Sequence, residues 1–144
     1  EYYTSSQKYE EIIRAKHLED HVVLHTRFIG DNLVPSYFSV ADMIVQPYKS
    51  ATQSGVAQIA YHFEKPLLVT DVGGLGEIVP NGIVGYTVSP EPGAIAEAIL
   101  DFLENDRAPE FIQNIKIEKA RFSWEKMVET IEQLDAEINK NRLI

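Results

Sequence analysis

The chain contains no cysteine. Disulfide staples, thiolate metal ligands and thiol nucleophiles are therefore excluded, and the composition suits a reducing compartment, the cytoplasm. It also lacks any apolar run of membrane-spanning length and any signal-peptide pattern at its start. Positive charge is scarce: 13 Lys and Arg stand against 22 Asp and Glu, a formal net charge of -9. An acidic chain without a basic stripe is a poor partner for nucleic acid or anionic membranes. Any anion it binds must be held by local geometry. What is present is ordinary for a globular domain: 144 residues, 44% hydrophobic and 24% charged, enough to bury a sizeable core. No repeat, low-complexity tract or linker divides the chain, so residues 1–144 read as a single domain. It opens on Glu1 rather than Met and so reads as a piece of something longer, truncated on its N-terminal side.

Hydrophobic spacing supplies the element order. Thr4 to Lys16 reads as a helix with Tyr9, Ile12 and Ile13 on one face and Ser5 or Ser6 as its cap. His21–His25 is β-branched and apolar, the pattern of a strand. Asp31–Val40 reads as a short helix facing inward through Leu33, Tyr37 and Val40. Met43–Val45 is a short apolar run expected of a strand buried on both faces. Ser54–Glu64 places Val56, Ile59, Ala60 and Phe63 on one helical stripe. Pro66–Thr70 and Gly85–Val88 are further strands. Three helices end the chain: Gly93–Glu104 with Ile95, Ile99, Phe102 and Leu103 inward, Pro109–Phe122 with Phe111, Ile112 and Ile115, and Ser123–Asn139 with an apolar face from Trp124 to Ile138. Strands alternating with helices predict an α/β, Rossmann-like parallel sheet with helices on both faces and right-handed crossovers.

In such sheets ligands bind beyond the carboxyl ends of the strands. Two glycine-bearing loops fall on that edge. One is Ser50-Ala51-Thr52-Gln53-Ser54-Gly55, where a strand hands over to a helix. The first N–H groups of a helix have no intrahelical partner and carry partial positive charge, so phosphates bind there. Gly55 allows close approach, and Thr52 and Ser54 add hydroxyls. A plain Ser/Thr N-cap fits the same letters. The other loop, Asp71 to Glu77, carries Gly73, Gly74 and Gly76, and its position on the same edge favours the anion site. Lys49 is the nearest cation placed to help, since Lys65 precedes a strand and falls at the far edge. Glu77 reads either as a ligand contact or as a helix-start carboxylate. His17, His21 and His25 recur every four residues, but on a strand that spacing spans about 13 Å, too far to share one metal ion.

The ordered set Ala41-Asp42, Pro47, Gly55, Pro66, Asp71-Val72-Gly73-Gly74, Glu77-Ile78-Val79, Asn81-Gly82, Gly85, Ser89-Pro90 and Phe122-Ser123-Trp124-Glu125 resembles the C-terminal, donor-binding half of family-4 (group 1) glycosyltransferases. The resemblance runs from about Gln7 to Leu134. Members have the GT-B architecture, in which two Rossmann-like halves face each other across a cleft. The resemblance implies a lobe that binds a nucleotide-sugar donor, whose sugar the whole enzyme transfers with retention of configuration. It implies that Thr52, Gln53, Ser54 and Gly55 hold the diphosphate, with Gln58 nearby, and that Gly73, Gly74 and Glu77 lie beside the sugar or nucleotide. It further implies no cofactor and no bound metal, an absent N-terminal half that carries the acceptor, and a last helix running back toward that half. The catalytic residues are left unassigned, and the lobe alone is expected to be inactive. Any peripheral membrane attachment would come through the other half, and an exposed sheet edge would let the fragment self-associate.

One departure bears on function. The family commonly carries two glutamates around this turn with seven residues between them, and the matching positions are Ala51 and Ile59. Neither side chain accepts a hydrogen bond. The resulting Thr-Gln-Ser-Gly-x-x-Gln string is similar to the turn of non-hydrolysing nucleotide-sugar 2-epimerases, so an epimerase-like use of the cleft stands as an alternative. A non-catalytic binding or assembly lobe is the other.

Overall fold

The computed structural model describes residues 6–141. The chain divides into two compact units, Glu1–Pro35 and Ser36–Ile144. In the first, helix α1 spans Gln7–Ala15, and Ser6, at its start, donates its hydroxyl to Glu10 rather than capping the helix. No residue of α1 is buried. The expected strand at His21–His25 is absent: after a turn in which the Val22 N–H donates to the Leu18 carbonyl, the segment is irregular, with Val23 78% exposed. Its β-branched letters fit a pleated surface, but a strand exists only where a neighbour supplies the ladder, and no described residue pairs with it.

Helix α2 spans Val34–Val40, straddling the boundary between the units. It begins later than Asp31, and Pro35 suits its first turn. Its inward residue is Phe38, which stacks on Phe63 at 5.4 Å, while Leu33, Tyr37 and Val40 are exposed.

The sheet of the second unit comprises β1 (Ile44–Gln46), β2 (Leu67–Thr70) and β3 (Gly85–Val88), all parallel, in the order β1-β2-β3. Ile44 pairs with Leu67, and Leu67 pairs in turn with Gly85. All four residues of β2 are buried, so both faces of the sheet are covered. β1 is an edge strand of this sheet, and Val45, expected to be buried, is instead partly exposed.

Helix α3 (Gly55–His62) and the short α4 (Leu75–Ile78) pack on the face of Leu67 and Val69, together with Val79, Val84 and Ile115. The buried stripe of α3 is Ala57, Ala60 and Tyr61: Ala60 is inside as expected, but Val56 is exposed and Ala57 and Tyr61 take the inward places. Small alanines bring the helix close to the sheet, and Tyr61 reaches past it to donate its hydroxyl to the Ile78 carbonyl at 2.7 Å. Glu64 stops the helix in a left-handed conformation (φ 54°) while the Lys65 N–H bonds back to the Ala60 carbonyl.

Helix α5 (Pro92–Glu104) lies over the opposite face, that of Leu68 and Tyr86, because the Tyr86 hydroxyl donates to Asp101. Ala98 and Phe102 are its buried residues, and Leu103, expected inside, is exposed. Helix α6 (Ala108–Glu118) inserts Phe111 against Tyr86 and Phe102, then a 3-10 turn (Lys119–Phe122) leads to α7 (Trp124–Asn141). Gly85 is required where it stands: at φ 152° a Cβ would overlap the Leu67 carbonyl of the adjacent strand. Among the described residues no helix is long and apolar enough to cross a membrane.

Candidate functional site

The carboxyl ends of β1 and β2 bring together the two loops that the sequence places on one edge. Ser54 is the N-cap of α3, with extended backbone (φ -132°, ψ 115°), and its hydroxyl accepts from the Ala57 N–H at 3.3 Å. It is buried, which fixes the helix start against the sheet. The cap and the anion cradle are therefore not rivals. Ser54 satisfies one of the unpaired N–H groups of the first turn and leaves Gly55 and Val56 at its head. Gly55 is exposed, and nothing lies within 4 Å of where a Cβ would stand, so the space above the helix start is open.

The second loop is bonded to the first. The Gly74 N–H donates to the Thr52 carbonyl at 3.2 Å. Gly73 has φ +56°, and a Cβ on it would overlap the Ala51 carbonyl. The two backbones touch at a point where no side chain fits. A further tie comes from Thr70, buried at the end of β2, whose hydroxyl donates to the Tyr48 carbonyl at 2.6 Å. The Thr52–Gly55 and Gly73–Gly74 segments are thus joined side by side, through the Gly74–Thr52 bond.

The remaining candidates sit around them. Thr52, Gln53 and Glu77 are exposed, and Glu77 lies in the first turn of α4. Gln58 is exposed on α3 and borders an open groove of about 440 Å³ with Phe122, Trp124, Met127 and Ile131. Asp71 is exposed; its N–H donates to Val88, and its carboxylate lies beside Gly76. Lys49 is exposed on the loop after β1, whereas Lys65 donates to the Ser39 carbonyl. Among the described residues no three His, Asp or Glu side chains gather as a metal site.

Gln46 was missed by sequence reasoning. It ends β1, is buried, and has no hydrogen-bond partner on either side-chain atom. The signal was available: a carboxamide closes an otherwise apolar strand just before Pro47. Trp124, expected in a core or between lobes, is 76% exposed in this chain, and the rest of the apolar face of α7 is about half exposed.

Two tyrosines act as structural donors, Tyr61 buried and Tyr86 half-buried. Burial pushes the Tyr61 phenol up to about 12, with Glu118 adding to the effect and Arg121 opposing it. Burial and then the hydrogen bond to Asp101 raise Tyr86 as well.

Known proteins share this fold. Solved structures similar to this chain include sucrose-phosphate synthase from Thermosynechococcus elongatus, with a TM-score of 0.76 and 24% identity over 98% of this chain and 37% of that one. Another is the pneumococcal O-GlcNAc transferase in complex with UDP and GlcNAc, at 0.68 and 18% over 94% and 28%. Among curated proteins, an uncharacterized glycosyltransferase of Methanocaldococcus jannaschii is 32% identical over 74% of this chain and 31% of its own length. The alpha-D-kanosaminyltransferase of Streptomyces kanamyceticus is 28% identical over 64% and 25%. The chain therefore spans about a third or less of these curated relatives. The model of glycosyl transferases group 1 matches residues 3–105. The chain belongs to the group 1 glycosyltransferases and has the Rossmann-like fold of a GT-B lobe.

Proposed function

We propose that this chain is the donor-binding lobe of a retaining glycosyltransferase that uses a nucleoside-diphosphate sugar. The observation that carries the reading is the head of α3, where Gly55 faces open space beside the Gly73-Gly74 loop at the carboxyl edge of the sheet. Backbone N–H groups fixed in place would hold the diphosphate and stabilise the charge that develops on it as the sugar departs, without reorganising during the reaction. In this reading N–H donors and cations, Lys49 among them, meet that charge without a metal ion. The acidic chain agrees with a site built from backbone geometry, since its overall field repels the ligand. One structure with this fold was solved with UDP and GlcNAc.

The lobe supplies one wall of the cleft. The acceptor and the other wall belong to a second Rossmann-like half, and the 144-residue chain alone is expected to be inactive. Incubating the full-length protein with labelled UDP-, GDP- and ADP-sugars and cell extract as acceptor checks the reading. The expected products are free nucleoside diphosphate and a transferred sugar with the donor's anomeric configuration. An isomerised nucleotide-sugar without net release of nucleotide would contradict it and point to epimerase chemistry.

A further inference from the structure

Three polar side chains are buried at the carboxyl edge of the sheet, and two of them are bonded: Ser54 to the Ala57 N–H and Thr70 to the Tyr48 carbonyl. The third, Gln46, is 3% exposed and has no partner for either its nitrogen or its oxygen. Buried carboxamides are nearly always paired, because a bare one forfeits the hydration it had in the unfolded chain. For packing alone, an apolar residue like its strand neighbours Ile44 and Val45 would serve better. Gln46 is in register with Val69 and alternates with Ile44, and both of those pack with the α3 cluster. Its side chain is therefore on the α3 face of the sheet, at the end of the strand where α3 begins.

Resting on the donor-lobe reading, we propose that the Gln46 carboxamide is a specificity-determining contact, hydrogen-bonding a hydroxyl of the donor next to the diphosphate. A helix N-terminus offers donors only, which suits phosphate. A carboxamide both donates and accepts, which suits a hydroxyl of ribose or sugar. The side chains of Ala51 and Ile59 near the same helix start offer no hydrogen bond, so Gln46 supplies what they do not. The segment after β1 is the side from which a ligand would reach it. That segment is exposed from Pro47 to Ser50 and is tied to its neighbours by the Thr70–Tyr48 and Gly74–Thr52 bonds.

The test uses the full-length protein with Gln46→Leu and, as an unbranched second variant of similar shape, Gln46→Met. Thermal unfolding is measured alongside calorimetric titration with pyrophosphate, with UDP, GDP and ADP, and with their glucose esters. Both variants should melt at or above the wild-type temperature, because an unpaired buried amide is removed. Pyrophosphate affinity should be unchanged, while affinity for the nucleotide ligands should fall about tenfold. A fall already present with the nucleoside diphosphate assigns the hydroxyl to ribose, and one seen only with the ester assigns it to the sugar. Unchanged affinity throughout, a lower melting temperature, or loss of pyrophosphate along with the rest would overturn the proposal. A wild-type protein that binds none of these ligands would instead overturn the donor-lobe reading and this proposal together.

Discussion

Two glycines on one edge do opposite work, and the difference is measurable. Gly73 sits at φ +56° with the Ala51 carbonyl where its Cβ would go. Gly73→Ala should therefore cost at least about 2 kcal/mol of folding stability, read as a lower urea midpoint. Gly55 has open space, so Gly55→Ala should fold with a melting temperature within a few degrees of wild type. Tyr61 gives a prediction in pH. Its folded pKa of about 12 lies above the unfolded value of about 10. The stability tied to its neutral form is thus full below pH 10 and is lost as pH rises toward 12. The loss is on the order of 2–3 kcal/mol, and urea titrations of wild type and Tyr61→Phe across that window should show a shallower decline in the variant.

Helices separate by what covers them. Phe111 is buried between Tyr86 and Phe102, so Phe111→Ala should cost roughly 3–5 kcal/mol. Leu134 on α7 is half exposed, and Leu134→Ala should cost below about 1 kcal/mol in this chain. Chemical denaturation of the two variants checks the contrast. The same distinction shows what the sequence made legible. β2, β3 and α5 were readable within a residue, since Pro66, the apolar run and the glycines are local signals. The inward face of α3 was read correctly at Ala60 and wrongly at Val56, because a hydrophobicity count prefers Val56, whereas close packing on a sheet prefers Ala57. His21–His25 failed as a strand because pairing is supplied by other residues, which no local pattern contains. The two glycine loops were legible from their glycines; the bond that joins them at Thr52 and their close approach at Ala51 were not, because these involve backbone atoms that every residue has.

The molecule as a whole is a glycosyltransferase lobe whose acidic charge gives an anion no general welcome. On the proposed reading, donor binding rests on one small region, the head of α3 and the glycine loop beside it. Salt should weaken such binding only mildly, since neither a broad basic field nor many ion pairs take part. The decisive experiment is calorimetric titration of the full-length protein with UDP, GDP and ADP, in wild-type and Gly55→Val forms of matched melting temperature. The account predicts that the wild type binds at least one of the three and that Gly55→Val weakens it by more than about tenfold, by filling the space a phosphate would occupy. Equal affinity in the two forms would contradict it and place the nucleotide elsewhere.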